Sequence, residues 1–374
     1  MASAPLKALR DALSSVDRDL ITLLGKRMDL VRQVAEIKAA SGAPSFDRER
    51  EGAHLDELLE LAMTVRLAPD IVRDLFRSLF STSRALQRTV FAARAQHFSI
   101  GIIGGTAGMG AFLARVFMSA GHAVETMGLG VGAPAAEVAS RHDLVVIAVP
   151  IADTVEVIKA VAPHVRKGAC LIDVTSIKAA PLEAMLAHAP PGVDVVGTHP
   201  MFGPSGNDFD RQKVVLCHGR GEAGLERVRR LFEAFGAEII EASADEHDEH
   251  MALIQVLVHE KTLVLGSVLE RLGAPLTRSL QFASPIYRTE LALIGRMFSQ
   301  RPELYADILT VNPRSGEVSQ RFAEEAKRLA DAVSTGQRDA LITRFREVAS
   351  FMENFATWAK KESDAILQDV VRHG

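Results

Sequence analysis

The sequence predicts a multidomain chain: an all-α module, then an α/β doubly wound domain, then a second all-α domain. Its 374 residues exceed the usual size of a single hydrophobic core. Apolar residues recur at steps of three and four through residues 5–92, which carry no strand pattern. From about Phe98 short apolar runs alternate with helical segments, which is typical of βαβ units and a parallel sheet. Helical periodicity returns at about Asp245, so the predicted domains are 1–92, 97–243 and 244–374.

The composition restricts the classes of partner. A formal net charge of -4 argues against nucleic acid or an anionic membrane as the main partner. The two cysteines, Cys170 and Cys217, lie in strand-like runs, where a thiol usually behaves as a small buried hydrophobe. The N-terminus has no apolar secretory core, and no stretch offers roughly 18 uninterrupted apolar residues. We therefore expect a cytoplasmic protein without a metal site that binds small molecules and copies of itself.

The first module is predicted to contain three helices. One very long helix is expected to end at Gly42 and Pro44, a second to run from about Asp47 to Leu61, and a third to start at Pro69. The long helix follows the apolar series Leu6, Leu9, Leu13, Val16, Leu20, Leu23, Leu24, Leu30, Val31, Val34 and Ile37. A helix of about 35 residues is roughly 50 Å long, too long for so small a module to cover. We expect a partner subunit to cover it, which predicts a homodimer.

The stretch IIGGTAGMGAFL follows the first predicted strand of the α/β part. In the frame Gly105, Ala107 and Gly110, with Gly108 and Met109 between, it reads G-x-A-x-x-G, close to the dinucleotide-binding pattern of a Rossmann-like domain. A glycine turn between strand and helix is the alternative interpretation. The position at the start of the first βαβ unit favours a cofactor loop.

Two residues depart from the dinucleotide-binding pattern. Ala107 replaces the glycine that normally lets the backbone approach the pyrophosphate. Gly128 stands where an acid would bind the adenine ribose, and no arginine follows within ten residues to hold a 2'-phosphate. The choice between NAD and NADP is therefore open.

Polar residues follow several predicted strands, where a parallel sheet binds its ligands. Pro150 ends HDLVVIAVP, and Ser176 and Lys178 follow the next strand in DVTSIK. His199 follows VDVVG, and a histidine there can accept a hydroxyl proton while a hydride leaves the same carbon. The alternatives are a solvated Lys178 and a structural loop histidine.

Two arginines lie eight residues apart in ASPIYRTELALIGRMF. If this segment is helical, Arg288 and Arg296 lie on nearly one face, two turns apart. Two guanidiniums on one face suit a substrate with carboxylates, although a pair of surface arginines is an equal alternative.

The N-terminal module carries a denser set of polar candidates. Arg27 and Lys38 are eleven residues apart, so they share a helix face and can reach one anion. Arg10 lies 17 positions before Arg27, about 25 Å along the helix, so it could serve only the site of an antiparallel partner. The alternative is an ordinary charged solvent face. The further candidates in this module are Asp47, Arg50, Glu51, Ser83 and Gln87.

These residues, in this order, carry a family resemblance. The segments LRDAL, LLGKRMDLV, EIKAA, DRERE and STSRALQ resemble the all-helical chorismate mutase family. The segments DVTSIKAAPLEAML, HPMFGP, SADEHD and SPIYRTELALIGR resemble prephenate dehydrogenase. Their fusion resembles the bifunctional chorismate mutase/prephenate dehydrogenases of bacterial tyrosine synthesis. The resemblance implies conversion of chorismate to prephenate, then NAD-dependent oxidative decarboxylation to 4-hydroxyphenylpyruvate, with a C-terminal dimerisation domain.

The resemblance also implies roles at the mutase site. Arg10 of one subunit and Arg27 of the other would clamp the two carboxylates of chorismate. Lys38 and Gln87 would donate to the ether oxygen, and Glu51 would engage the ring hydroxyl. The remaining pocket residues would be Asp47, Arg50 and Ser83.

At the dehydrogenase site, the resemblance makes His199 the group hydrogen-bonded to the ring hydroxyl of prephenate. Ser176 would position the same hydroxyl, and Arg296 would bind a substrate carboxylate. Arg288 and Lys178 are weaker candidates for substrate binding.

His259, in QVLVHEK, matches a family histidine that is linked to feedback inhibition by tyrosine. Nothing in the sequence distinguishes prephenate from arogenate as substrate. The alternatives are therefore a mutase joined to an arogenate-preferring or NADP-using dehydrogenase, or one whose second half is a non-catalytic tyrosine-sensing module.

Overall fold

The computed structural model describes residues 4–41, 47–92, 97–204 and 209–373, which form two compact units. The first unit comprises Met1–Val149, Thr154–Thr175 and Ala180–Ser243. The second comprises Pro150–Asp153, Ser176–Ala179 and Ala244–Gly374. The N-terminal helices and the sheet thus belong to one compact unit, and the predicted boundary between residues 92 and 97 stays a prediction.

The N-terminal helices are α1 (Ala4–Ser41), α2 (Arg48–Thr64) and α3 (Pro69–Ala92). The predicted long helix and the start of the third helix at Pro69 are confirmed. The 38 residues of α1 span about 57 Å. Gly42 and Pro44, the predicted stop, lie outside the described residues. Helix α2 extends to Thr64, three residues beyond the predicted end at Leu61.

Helix α1 packs on α3. Ala35 is completely buried, whereas many large apolar side chains of α1 are exposed in the single chain. These exposed residues are Leu6, Leu9, Leu13, Val16, Leu20, Ile21, Leu23, Leu30, Val34 and Ile37. An apolar surface of this extent is typical of a protein interface.

The first unit contains a seven-stranded sheet within the described residues, ordered β2-β1-β3-β4-β5-β6-β7. The strands are β1 (Ser99–Ile103), β2 (Ala123–Met127), β3 (Leu144–Ile147), β4 (Cys170–Asp173), β5 (Asp194–Pro200), β6 (Lys213–Arg220) and β7 (Glu238–Glu241). All seven lie in the part of the chain where strands were predicted to alternate with helices. The prediction of a parallel sheet is wrong for one pair, because β5 and β6 are antiparallel. The described connection between these strands has no helix to carry the chain back across the sheet.

Helices flank the sheet and complete its core. They are α4 (Gly108–Ser119), α5 (Ala135–Arg141), α6 (Ile151–Val161), α7 (Ala179–His188) and α8 (Glu222–Ala234). Phe112, Phe117 and Phe232 pack from α4 and α8 onto the buried strand residues, together with Phe209 of the β5–β6 connection. Both cysteines are buried, and burial raises the pKa of Cys170 to about 12, as expected of a thiol that acts as a core hydrophobe.

The second unit is helical in its described part. Its helices are α9 (Ala244–Met251), α10 (Val258–Arg271), α11 (Leu276–Ser279), α12 (Pro285–Phe298), α13 (Pro302–Val311), α14 (Ser315–Ser334), α15 (Arg338–Phe351) and α16 (Glu353–His373). A π-helical turn, Ala252–Leu257, joins α9 to α10. The predicted return to helix at about residue 245 is confirmed.

One helical run is long and apolar enough, by length and composition alone, to cross a membrane. It is Ala244–Arg271, with a hydropathy of 1.5. Charged side chains within it bind other helices of the same unit: Lys261 pairs with Glu290 of α12, and Glu260 accepts a hydrogen bond from Ser319 of α14. These contacts are those of a helix in a folded bundle.

Candidate active sites

A first polar cluster forms where α1, α2 and α3 meet. Arg27 Nη1 of α1 donates to Ser83 Oγ of α3 at 2.7 Å, and Ser83 in turn donates to the carbonyl of Leu79. The Arg27 guanidinium also lies over the Phe80 ring, 5.7 Å from its centroid. Two of the predicted mutase residues, Arg27 and Ser83, are therefore in direct contact.

Glu51 of α2 belongs to the same cluster. Burial lowers the pKa of Arg27, and the charge of Glu51 opposes that shift, so the two side chains are close enough to interact. Burial also raises the pKa of Glu51, against the opposing charge of Arg84. Arg84 Nη1 donates to Glu51 Oε2 at 2.5 Å. Sequence reasoning missed Arg84, because adjacent residues on a helix point in different directions and its neighbour Ser83 was the candidate.

Gln87 follows Ser83 by one turn on α3, and its Oε1 is buried without a hydrogen-bond partner in the described structure. A buried polar atom without a hydrogen-bond partner is costly unless a ligand satisfies it. Lys38 lies half-buried on α1, three turns after Arg27. Gln87 and Lys38 thus lie on the two helices that carry Ser83 and Arg27.

Three predicted mutase residues lie at exposed positions in the single chain. Asp47 is the N-cap of α2, and its carboxylate accepts the backbone N–H of Arg50 at 3.0 Å. Asp47 therefore fixes the start of the helix that carries Glu51. The side chains of Arg50 and Arg10 are exposed, and Arg10 lies about 25 Å from Arg27 along α1.

The glycine turn between β1 and α4 has the backbone geometry of a dinucleotide loop. Gly104 has φ +91°, and its N–H and that of Gly105 donate to the carbonyl of Met127 at 2.9 and 3.0 Å. A Cβ at Gly110 would lie 2.3 Å from the carbonyl oxygen of Gly104, so only glycine permits this close packing of α4 on the turn. No side chain caps α4, whose N-cap is Ala107. The first-turn N–H groups are thus arranged for an anion, as the pyrophosphate of a dinucleotide requires.

The two departures from the pattern lie at this turn. Ala107 occupies the N-cap position in an extended conformation, φ -150° and ψ 168°, which an alanine adopts without strain. A Cβ at Gly128 would lie 2.3 Å from Thr106 Oγ1, so the Thr106 side chain fills the space of a side chain at 128. The only acid of β2, Glu125, binds Arg141 and His142. Thr106 therefore stands where the ribose-binding acid was expected.

His199 lies near the carboxyl end of β5. In the parallel part of the sheet Ile103, Ile147, Asp173 and Gly197 are in register, so β1, β3, β4 and β5 end at one edge. His199 is two residues beyond Gly197 and is 4% exposed. The sheet thus places the glycine turn and His199 at the same edge of the first unit.

Pro150, Ser176 and Lys178 belong to the second unit. Pro150 is exposed and Ser176 is half-buried. Lys178 is completely buried, so the alternative of a solvated loop lysine is wrong. A distant segment holds its backbone: the N–H groups of Lys178 and Ala179 donate to the two carboxylate oxygens of Asp248, at 2.7 and 3.0 Å.

Asp248 is a structural residue that sequence reasoning did not single out, although it lies in the quoted segment SADEHD. It also contacts His247 Nδ1 at 2.7 Å. Burial by itself would raise the pKa of Asp248, but the hydrogen bonds from His247 and from the two backbone N–H groups outweigh it and lower the pKa. Asp248 therefore holds the turn that carries Ser176 and Lys178.

A further group surrounds Tyr305 of α13. Arg296 and Arg288 both lie on α12, as predicted, and the charge of Arg296 opposes the rise in the Tyr305 pKa that burial causes. The His259 ring meets the Tyr305 ring edge-on, with centroids 5.0 Å apart, and burial lowers the pKa of His259. Two predicted residues, Arg296 and His259, are thus gathered around a tyrosine that no sequence pattern identified.

Comparison with known families finds a matching family for each of the three parts of the chain. Residues 9–88 match chorismate mutase type II, residues 115–241 match the nucleotide-binding domain of prephenate dehydrogenase, and residues 243–347 match its dimerization domain. The second match begins after the glycine turn. Together the fold, the sites and these matches define an enzyme that combines a chorismate mutase with a prephenate dehydrogenase.

Two relatives share this arrangement over nearly their whole length. The T-protein of Enterobacter agglomerans is 34% identical over 98% of both chains, and that of Haemophilus influenzae is 33% identical over 97% of this chain and 96% of its own. The chain belongs to the T-protein family, the bifunctional chorismate mutase/prephenate dehydrogenases of tyrosine biosynthesis. The Aquifex aeolicus prephenate dehydrogenase, solved with hydroxyphenyl propionate and NAD+, shares the fold of the dehydrogenase part with a TM-score of 0.56 and 17% identity, over 70% of this chain and 99% of its own.

Proposed function

We propose that the cluster around Arg27 is the mutase site and that it works by placing positive charge. The rearrangement of chorismate breaks an ether C–O bond while a C–C bond forms, so it needs no nucleophile. It needs a compact substrate conformer and donors at the ether oxygen, which gains electron density. The contact between Arg27 and Ser83 beside the half-buried Glu51 carries this proposal.

Each residue then has a defined task. Arg27, with Arg10 of the partner subunit, binds the two carboxylates of chorismate, and Lys38 and the Gln87 amide donate to the ether oxygen. Glu51 accepts the ring hydroxyl. Ser83 orients Arg27, and Asp47 caps α2. Arg50 completes the anion-binding surface from its exposed position.

We propose that His199 is the group that holds the ring hydroxyl of prephenate during its oxidation. Its buried position at the carboxyl edge of the sheet supports this role. His199 would accept the hydrogen bond of the hydroxyl while a hydride leaves the same carbon for the cofactor and the ring carboxylate leaves as carbon dioxide. Any proton that His199 takes would return to the phenol oxygen of the product. Ser176 orients the hydroxyl, and Arg296 binds a substrate carboxylate, with Arg288 and Lys178 as supporting residues.

We propose NAD as the cofactor. The turn of Gly105, Ala107, Gly108, Met109 and Gly110, with Pro150 after β3, would hold the dinucleotide, and the nicotinamide supplies the hydride acceptor when bound. The Thr106 hydroxyl beside Gly128 offers a neutral hydrogen-bonding group to the ribose. Since neither Thr106 nor Gly128 carries a positive charge, the turn itself favours a free 2'-hydroxyl over a 2'-phosphate.

We further propose a cytoplasmic homodimer with the domain boundaries 1–92, 97–243 and 244–374, in which His259 takes part in inhibition by tyrosine. The exposed apolar surface of α1 supports the dimer, as does a second set of exposed apolar residues in the helical unit. That set includes Leu253, Ile254, Val264, Val268, Leu272, Ile286, Leu293 and Phe298.

Paired variants test the two sites. Arg27→Ala removes a carboxylate ligand and is expected to lower mutase kcat/KM by about 10²-fold or more while prephenate oxidation persists. His199→Asn is expected to do the reverse. Both activities are measured on each full-length variant. Equal loss of both activities in either variant would contradict separate sites.

The same assays distinguish the rival functions. Arogenate in place of prephenate, and NADP in place of NAD, reveal an arogenate-preferring or NADP-using dehydrogenase. Failure to bind either dinucleotide at millimolar concentration would favour a second half that only senses tyrosine.

A further inference from the structure

Four charged side chains link the mutase helices to the β5–β6 connection of the dehydrogenase sheet. Arg84 of α3 donates through Nε to both carboxylate oxygens of Asp210, each at 3.0 Å, and through Nη1 to Glu51 at 2.5 Å. Arg88, one turn later on α3, donates to Asp210 at 2.8 Å. Glu51, Arg84, Asp210 and Arg88, here called the charge chain, thus connect two parts of the sequence that are 126 positions apart.

The charge chain is largely buried, with Glu51 as its most exposed member. The side chains of Arg84, Asp210 and Arg88 are 8%, 11% and 10% exposed, and that of Glu51 is 27% exposed. Two cations and two anions balance, and each guanidinium is paired. Removal of water from such charges is expensive unless the geometry is good, so a buried group of this kind has one favoured arrangement.

Asp210 is itself held firmly. Its neighbour Phe209 is completely buried among Phe112, Phe202 and Phe232. The backbone turns back at once, because Gln212 N–H donates to the carbonyl of Phe209 at 2.8 Å and Arg211 N–H donates to Gly236 at 3.0 Å. Arg211 adopts φ +60°, a conformation uncommon for a residue with a side chain. The dehydrogenase core therefore fixes the carboxylate to which Arg84 binds.

We propose that Arg84 is a positioning residue of the mutase site and that Asp210, from the dehydrogenase domain, holds it in place. Glu51 thereby receives its orientation from outside the mutase helices. The inference rests on the proposed role of Glu51 in binding the ring hydroxyl. Arg84 acts through Glu51 and is assigned no contact with the substrate.

The charges around Glu51 predict how the pH dependence of mutase activity should change in variants. Glu51 faces Arg84 of α3, Asp210 and Arg211 of the β5–β6 connection, and Arg27 of α1. Its pKa is raised by burial, lowered by Arg84 and raised by Asp210. Because Glu51 must be ionised to accept the hydroxyl, mutase activity should fall as the pH falls through the pKa of Glu51. Removal of Arg84 and removal of Asp210 should move this acid limb in opposite directions.

The test is the pH profile of mutase kcat/KM in full-length variants. Arg84→Gln is expected to move the acid limb up by about one pH unit, and Asp210→Asn, which preserves shape, to move it down. Arg84→Lys keeps the charge but cannot bind both carboxylates in the same way. Its acid limb should therefore lie at the wild-type pH, while its kcat should still be reduced. Arg77→Gln, an exposed arginine of the same helix, is the matched control and should leave the profile unchanged.

Glu51→Ala distinguishes a failure of the proposed role of Glu51 from a failure of the proposed role of the charge chain. If it leaves the mutase unaffected, the proposed role of Glu51 is wrong. If it impairs the mutase while Arg84→Gln and Asp210→Asn keep the wild-type limb, or move it in the same direction, the charge chain has no positioning role. A lower maximal kcat/KM in both Arg84→Gln and Asp210→Asn, without a shift of the acid limb, would also contradict the proposal.

Discussion

At the scale of single residues, the cluster around Arg27 contains groups proposed to bind the substrate and groups that hold other side chains in place. Arg27 is oriented by Ser83, whose hydroxyl accepts from the guanidinium and donates to a backbone carbonyl of its own helix. Ser83 therefore cannot rotate without losing one of these bonds. The buried Oε1 of Gln87 has no such partner in the described structure. That oxygen can accept from an external donor, whereas the proposed contact with the ether oxygen uses the N–H groups of the same amide.

Gln87 provides a prediction with a definite sign. In Gln87→Glu, an ionised carboxylate would repel the electron-rich ether oxygen, whereas the protonated acid can donate to it. Since burial disfavours the charged form, the new group should have a raised pKa. Mutase kcat is expected to be low at pH 8 and to rise as the pH falls through that pKa, by about tenfold or more. The measurement is a pH series of chorismate consumption at saturating substrate.

Gln87→Leu is the matched control for this variant. It cannot donate at any pH, so its activity should stay low throughout the series. A Gln87→Glu enzyme as active at pH 8 as the wild type would show that position 87 makes no contact with the ether oxygen.

At the scale of elements, the glycine turn shows at which positions the backbone requires glycine and at which it accepts other residues. Gly104 needs its positive φ, and Gly110 needs the absence of a Cβ. Ala107 needs neither, because its φ of -150° is open to any residue. If the turn binds a dinucleotide as proposed, the methyl of Ala107 stands at the position where glycine normally permits the closest approach of a pyrophosphate.

This difference predicts the effects of two substitutions. Ala107→Gly should tighten NAD binding several-fold, because the loop no longer has to shift around the methyl group. Gly110→Ala should weaken NAD binding strongly, because its Cβ would collide with the Gly104 carbonyl and displace α4. Titration of intrinsic fluorescence or calorimetry with NAD measures both, and mutase activity reports that each variant is folded. Unchanged NAD affinity in Ala107→Gly would place the pyrophosphate away from this turn.

The elements themselves were largely predictable from the sequence, whereas several of their relationships were not. All seven strands and the three N-terminal helices follow from apolar periodicity and from Gly and Pro positions. The antiparallel direction of β6 could not be predicted from the sequence, because a short buried strand has the same apolar pattern in either direction. The charge chain joins residues 126 positions apart, and no local pattern records such a pairing.

The candidate sites show the same limit. Spacing along one helix predicted that Arg27 and Lys38 share a face. Polar interruptions of the helices singled out Ser83, Glu51 and Gln87, whose roles came from the family resemblance. It did not reveal Arg84, because its partners Glu51 and Asp210 come from other elements. The burial of Lys178 depends on the fold around a turn that Asp248 fixes, a contact between distant segments.

At the scale of the whole molecule, the proposed mutase site would take Arg10 from a second chain. Arg10 is exposed on a helix of about 57 Å, far from the cluster around Arg27, and the apolar residues between them are uncovered in the single chain. An antiparallel partner helix would cover those residues and carry its own Arg10 towards Arg27. A two-fold dimer would then contain two equivalent sites, each built from both chains.

This arrangement predicts complementation between two inactive variants. Arg10→Ala and Arg27→Ala should each abolish most mutase activity. In a hybrid dimer, one site combines the intact Arg27 of one chain with the intact Arg10 of the other, and the second site carries both lesions. Hybrids isolated through two different affinity tags should therefore regain about half of the wild-type mutase activity. A hybrid of Arg27→Ala with Lys38→Ala is the matched control, because Arg27 and Lys38 belong to the same chain at each site and no intact site can form. Recovery in the control, or none in the Arg10 and Arg27 hybrid, would mean that the two arginines do not meet across the dimer.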